Sequence, residues 1–268
     1  MEFEHFSHNG KLLPVSDAVV PLARIEYSYG FGVYENIRVA SGRVRFLDQH
    51  CTRLRASADI IGLEHRFKPS EIERYVTDLV SANEVKTCNI KILLIGGKTA
   101  ESADLYIMCL APFFVNRKLY KTGCHCITYR YERSFPQAKT LNMLPSFLAY
   151  RDAVKAGAHD ALLINHSGDI TEGTRSNFFA LKGATIYSPP ASEILPGVTR
   201  NHVLELVKKQ GLAIIHQSIP LNSLDNYDAA FLTSTSAKIL PIGSIDAHSF
   251  NPIAPELLAL SRAFDKSY

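Results

Sequence analysis

No apolar run in this 268-residue chain approaches the length that spans a bilayer; the longest, residues 90–96 and 229–233, are strand-sized. The first ten residues carry acidic and histidine side chains with no basic start ahead of an apolar stretch, so no export signal is read there. Neither sign of charge is in excess: a net +3 is too small to predict a nucleic-acid or polyanion partner. No solenoid-type repeat occurs. Cysteine is scarce and odd in number, five in all, which without an export signal predicts reduced thiols in a cytoplasm. The one local cluster, Cys124-His125-Cys126, lacks a second half at metal-binding spacing, so no metal site is expected. In a strand its two sulfurs share a face and His125 points away.

Familiar nucleotide and hydrolase motifs are missing as well. Gly96-Gly97-Lys98-Thr99 has the tail of a phosphate-binding loop, but the position that should hold the earlier glycine is Ile92. Gly30-Phe31-Gly32 precedes a strand rather than a helix, so it is not a dinucleotide fingerprint. Neither Gly-x-Ser-x-Gly nor His-Glu-x-x-His is present.

What is present is an ordinary globular composition, 46 % hydrophobic and 21 % charged, at a length that allows one large domain or two small ones. Residues 33–39 and 43–46 read as strands joined by the Ser41-Gly42 turn. Asp48 opens a helix to about residue 62, with Leu54, Ala58 and Ile61 at helical spacing. Pro69-Ser70 starts a second helix with Ile72, Tyr75, Val76 and Leu79 on one face, and strands follow over 89–95 and 104–110. This strand-strand-helix-helix-strand-strand order predicts an α+β unit with an antiparallel sheet. The aperiodic stretch around 112–121 reads as a linker between a small N-terminal domain, 1–115, and a larger C-terminal one, 122–268. In the latter the spacing predicts strands near 124–132, 161–165, 178–181, Ile214 and Phe231. It also predicts helices near 146–156 and over 199–210, the second stopped by Gly211.

Four segments of the second half carry chemistry. Lys139 follows a strand and precedes an apolar helix in a stretch with few other charges. A lone lysine is usually solvated; one directed into a low-dielectric cleft has a depressed pKa and offers a neutral amine for a Schiff base. Glu172 and Asn177 flank a turn of small side chains. Glu172 reads as a surface carboxylate or as a buried one that needs a cationic partner, such as a pyridinium nitrogen. Pro196-Gly197-Val198-Thr199 leads into a helix whose first N–H groups lack intrahelical acceptors, which makes either a capped helix start or a phosphate site. Ser234-Thr235 lies in a hydroxyl-rich turn after an apolar strand, either a further phosphate donor set or only a turn.

Each segment is weak alone; in this order they resemble the class IV aminotransferases, pyridoxal-phosphate enzymes of fold type IV. That group includes branched-chain and D-amino acid aminotransferases, (R)-amine transaminases and aminodeoxychorismate lyases. In the first half Gly32-Val33-Tyr34-Glu35, Val39, Gly42, Phe46, His50, Arg53-Leu54 and Ala56-Ser57 resemble the family's N-terminal signature, so that the resemblance covers roughly residues 24–245.

The resemblance implies a two-domain α+β fold of type IV, with a small N-terminal α/β domain and a larger β-rich C-terminal domain with helices. It implies pyridoxal 5'-phosphate at the domain interface and a homodimer whose partner loops complete the substrate pocket. Lys139 would join the cofactor covalently and shuttle a proton between the substrate α-carbon and the cofactor. Glu172 would pair with the ring nitrogen, with Asn177 holding its loop. Arg53 would hold the phosphate as a bidentate fork, joined by Val198, Thr199 and Thr235. Tyr34 would line the substrate side and Arg38 would meet a substrate carboxylate or face solvent, with Lys91 a further basic candidate. His50, one turn before Arg53, would orient that arginine or act as a cap or core residue.

Departures narrow the reading. Leu144 stands where some members carry a tyrosine near the cofactor hydroxyl, as it does in the D-amino acid enzymes, so the resemblance leaves open whether L- or D-amino acids react. Gly96 stands where the D-amino acid enzymes carry the arginine that holds the substrate carboxylate, which argues against D-specificity. Tyr34, Glu35 and Ile37 follow the branched-chain pattern, whereas lyase-type members carry a threonine near Asn36. The expected activity is transamination between an amino acid and a 2-oxo acid, with branched-chain substrates in view. The alternatives are aminodeoxychorismate lyase activity, forming 4-aminobenzoate and pyruvate, and a non-catalytic cofactor-binding relative.

Overall fold

Two units, each built on its own sheet, make up the computed structural model, which describes residues 3–267. The first runs to Phe113 and also takes in Ala138–Asn142. It begins with the hairpin β1 (His5–His8) and β2 (Lys11–Pro14), turned by Asn9 and Gly10, both at positive φ. A short helix α1 (Ile25–Tyr29) precedes β3 (Gly32–Ala40) and β4 (Arg43–Val44), whose Ser41-Gly42 turn has φ of 52° and 73°. Helices α2 (Leu47–Ile60) and α3 (Pro69–Ala82) lead to β5 (Thr87–Ile95) and β6 (Asp104–Leu110). The sheet order is β2-β1-β6-β5-β3-β4, with every pair antiparallel.

Strand alternation fixes which face meets the helices. Val33, Ile37 and Val39 of β3 and Ile90, Ile92 and Leu94 of β5 bury against Leu54 and Ala58 of α2 and Ile72, Val76 and Leu79 of α3. Glu35 lies on this same face of β3 and is fully buried. Two details differ from the sequence expectation. The residue before α2 is Phe46 at φ 53°, and Asp48 sits inside the first turn, where its charge meets the positive helix end. The hairpin β1–β2 is too short and mixed for a periodicity argument to reveal.

The second unit comprises Phe114–Gln137 and the chain from Met143 onward. The chain therefore passes from one unit to the other at 113/114, inside the expected linker, where a short helix α4 (Leu119–Thr122) also lies. The expected single body 122–268 is corrected: residues 138–142, Lys139 among them, belong with the first unit. The elements are β7 (Cys124–Arg130), α5 (Leu144–Lys155), β8 (Asp160–Ile164), β9 (Ile170–Gly173), β10 (Asn177–Lys182) and β11 (Thr185–Ser188). Then come α6 (Val198–Lys209), β12 (Ala213–His216), β13 (Ala229–Ser234), β14 (Lys238–Ile245), β15 (His248–Ser249) and α7 (Pro255–Ser267).

The sheet runs β12-β11-β10-β13-β14-β7-β8-β9, with β15 beside β14. Because β9 also pairs with β10 through Glu172 and Asn177, the strands from β10 round to β9 close into a ring. Phe178, Leu232, Leu162, Ile164, Leu240 and Cys126 fill one cluster, and the opposite-facing Phe179 and Phe231, stacked at 4.9 Å, pack with α6 and α7. All five cysteines are buried and none is in a disulfide; Cys124 and Cys126 share a face of β7, and His125 bonds Ser244 instead. Among the described residues no helix is long and apolar enough to cross a membrane.

Candidate active site

In the first unit, Lys139 is held by its backbone. Its N–H donates to Ser57 Oγ at 3.0 Å and its carbonyl accepts the Tyr34 N–H at 2.9 Å. Thr140 bridges Val33, and Leu141 N–H donates to the Gly32 carbonyl at 2.9 Å. The segment thus adds to β3 as a short extra strand, which is why it belongs with this unit. The Lys139 ammonium lies 4.5 Å from the centroid of the buried Tyr34 ring, and Lys91 Nζ lies 3.7 Å from the same centroid. Burial pushes the Lys91 pKa down, and the nearby charge of Lys139 adds to that.

Behind Tyr34, on the helix-facing side of β3, Glu35 gathers two side chains of α2. Arg53 Nε and Nη2 donate to its two oxygens at 2.7 Å each, and His50 Nδ1 meets Oε2 at 2.7 Å. Burial alone would raise the Glu35 pKa, but Arg53 and His50 outweigh it and hold the carboxyl well below the usual carboxylate range. The Nε/Nη2 edge of Arg53 thus faces Glu35, which leaves the Nη1 side of the guanidinium as the part that would serve the expected phosphate. His50 meets the same carboxylate and lies 3.5 Å from Arg53 Nη2, in the orienting place considered for it. Sequence reasoning named Glu35 only as part of a family pattern and gave it no role, and the signal was there: an acidic residue between apolar positions of one strand face, with His and Arg one turn apart on the next helix.

Arg38 is also buried, and its Nη2 donates to the Phe113 carbonyl at 2.7 Å, so the solvent-facing alternative is corrected. Gly96 is walled by an aromatic ring: a Cβ there would lie 2.3 Å from Phe31 carbons. No side chain fits at that position without moving Phe31.

In the second unit, Glu172 is 4 % exposed and held from three directions. Oε1 accepts from Arg133 Nη1 at 2.7 Å; Oε2 accepts from Leu195 N–H at 3.1 Å and Asn177 Nδ2 at 3.3 Å. Arg133 supplies the cationic partner that the sequence argument sought in a pyridinium, and sequence reasoning missed it because it lies in an irregular loop. Asn177 Nδ2 also donates to the Leu195 carbonyl at 2.9 Å, and its Oδ1 lies where a Cβ on Gly197 would be, 2.0 Å away. Glu172, Asn177 and the start of α6 thus form one packed group. The turn between Glu172 and Asn177 is ordered by buried Asp160, which accepts from Thr174 N–H, Thr174 Oγ1, Ser176 Oγ and Ala161 N–H.

The start of α6 is rich in donors and poor in acceptors. Val198 and Thr199 lie in its first turn, both buried, with N–H groups that no earlier helical carbonyl can reach. Arg200 is buried beside them; its Nη2 donates to Ser188 Oγ at 3.1 Å, and its Nε has no partner among the described residues. The buried Thr233 hydroxyl, across from Asn177, has none either. Thr235 stands two residues further, half-buried in the turn between β13 and β14. Such a surplus of donors suits an anion of several oxygens.

Comparison with known proteins agrees with this chemistry. The family model for class IV aminotransferases matches residues 32–245. A D-alanine aminotransferase of Bacillus licheniformis is 33 % identical over 258 residues, covering 92 % of this chain and 90 % of that protein. A putative branched-chain-amino-acid aminotransferase of Methanocaldococcus jannaschii is 30 % identical over 255 residues, covering 91 % and 88 %. The crystal structure of a branched-chain amino acid aminotransferase from Thermobaculum terrenum, in its PLP-bound holo-form, superposes with a TM-score of 0.87. It is 26 % identical, with 99 % of this chain and 94 % of that one covered.

Proposed function

We propose, on the premise that this chain belongs to the class IV aminotransferases and is a transaminase of fold type IV, that it uses pyridoxal 5'-phosphate to move an amino group between an L-amino acid and a 2-oxo acid, with branched-chain side chains preferred. The cofactor assignment is carried by the donor-rich start of α6 packed against the buried Glu172 carboxylate. Those groups suit a phosphate and a ring nitrogen respectively. When bound, pyridoxal phosphate supplies an aldehyde that takes the amino group and a ring that withdraws electrons from the substrate α-carbon.

The residues then have distinct tasks. Lys139 would hold the cofactor covalently and would carry the proton taken from the α-carbon. Proton removal there is the hard step, and a fixed backbone on β3 keeps its amine in place. Glu172 holds a proton at the ring nitrogen. Val198, Thr199 and Thr235 hold the phosphate, aided by the positive end of α6. Arg53, whose Nε and Nη2 meet Glu35, would add its remaining N–H donors to the phosphate from α2. Tyr34 and Arg38, on one face of β3, line the substrate side. The preference for L-substrates rests on Gly96: Phe31 occupies the space an arginine would need to hold a D-substrate carboxylate. A homodimer in a cytoplasm completes the reading, the second supported by five buried cysteines free of disulfides.

Purified protein titrated with pyridoxal phosphate should develop a visible absorbance band, and borohydride should fix the cofactor to the peptide that contains Lys139. Lys139→Ala should lose band, fixation and turnover. A panel of L- and D-donors with several 2-oxo acids should return branched-chain L-amino acids as the best donors. No band on the intact protein, or pyruvate release from aminodeoxychorismate in place of glutamate formation, overturns the assignment.

A further inference from the structure

We propose that Arg133 is a positioning residue: it sets the plane of the Glu172 carboxylate and ties that carboxylate to the loop that leads into Lys139. The inference rests on the reading above, in which Glu172 serves the cofactor's ring nitrogen. Arg133 follows β7 in an irregular loop. Its Nη1 donates to Glu172 Oε1 at 2.7 Å and to the Pro136 carbonyl at 3.0 Å, and its Nη2 reaches the Phe135 carbonyl at 3.4 Å. One guanidinium thus holds a carboxylate and two carbonyls of a turn whose next residues run to Lys139.

The terminal torsion of a glutamate is broad and does not fix the carboxylate plane by itself. Leu195 and Asn177 restrain only Oε2. Arg133 restrains Oε1, so the plane is determined only when all three are present. A planar fork can serve a carboxylate and neighbouring carbonyls together, which the point charge of a lysine does less well. The pair is largely buried, with side-chain exposures of 19 % and 5 %. Removing the cation would leave a buried carboxylate with amide donors alone. Arg133 is thus placed to act on the ring nitrogen through Glu172.

The test uses the intact apo-protein titrated with pyridoxal phosphate, comparing wild type, Arg133→Met, Arg133→Lys, Glu172→Gln and the double variant Arg133→Met/Glu172→Gln. Arg133→Met should weaken cofactor binding about tenfold, the size of effect expected within one side-chain network, and displace the pH midpoint of the visible band. Arg133→Lys should recover part of both. In the Glu172→Gln background, Arg133→Met should add little. Wild-type affinity and midpoint in Arg133→Met, or equal effects of that change in both backgrounds, would overturn the positioning role. If Arg133→Met does not fold, Arg133→Lys carries the test: a wild-type midpoint in it overturns the role, and a displaced one supports it. A wild type that takes up no cofactor overturns the reading beneath, which distinguishes the two failures.

Discussion

Arg53 closes on both carboxylate oxygens of Glu35, Nε on Oε1 and Nη2 on Oε2, each at 2.7 Å, inside the apolar layer between the first sheet and α2. The pair crosses from the middle of β3 to the middle of α2, and Tyr34 sits on the opposite side of the same strand. The contact that fastens helix to sheet therefore also fixes the strand to which the Lys139 segment adds.

Glu35→Gln should destabilise the first unit by about 3–5 kcal/mol, because Arg53 would remain buried without its counter-charge. Glu35→Leu paired with Arg53→Met should cost less than either change alone, since a packed apolar pair leaves no stranded charge. Thermal and urea unfolding of the wild type, the single variants and the pair would decide this; additive losses would refute it.

Stability should fall with acid in two stages. Burial lowers the His50 pKa, so the unfolded chain takes up that proton first as pH drops below the ordinary histidine value of about 6.5, and folding weakens from there. His65, His159, His202 and His216 are lowered by burial too and act with the same sign. Glu35, held below the usual carboxylate range, stabilises above the unfolded carboxylate value and loses that contribution only as pH falls through its folded value. His50→Asn should therefore flatten, without abolishing, the slope of unfolding free energy between about pH 6.5 and the carboxylate range. An unchanged slope would remove His50 from this account.

Gly96→Ala should cost about 1–3 kcal/mol by overpacking against Phe31. Phe31→Leu in the same chain should recover part of the loss, a coupling readable in a double-mutant cycle. Gly96→Arg alone should confer no turnover of D-amino acids, because the new side chain displaces Phe31 before it can hold a carboxylate. D-turnover by that single variant would contradict the packing argument.

Gly197→Ala drives a Cβ into the Asn177 amide oxygen, so Asn177 must release Glu172, Leu195 or both. The expected result is a stability loss of about 1–3 kcal/mol together with weaker uptake of pyridoxal phosphate. Wild-type cofactor affinity in Gly197→Ala would show that Asn177 does not couple Glu172 to α6.

Periodicity and punctuation sufficed for the long elements. The pattern of α3, the Ser41-Gly42 hairpin and the Gly211 stop after α6 depend on neighbours a few residues away, and such local signals survive in one dimension. So do the segments around Lys139, Glu172 and Thr199, because each combines a reactive side chain with unusual local chemistry. What the chain order did not reveal are partnerships across it. Glu35 finds Arg53 and His50 only when β3 packs on α2, and Glu172 finds Arg133 only when the strand ring closes. Charges buried at long sequence separation leave no periodic trace, since the free energy that pairs them arises from desolvation by apolar neighbours brought in from elsewhere. The same holds for the segment 138–142, whose attachment to the first unit depends on backbone hydrogen bonds with β3, which any residue can make and no side chain announces.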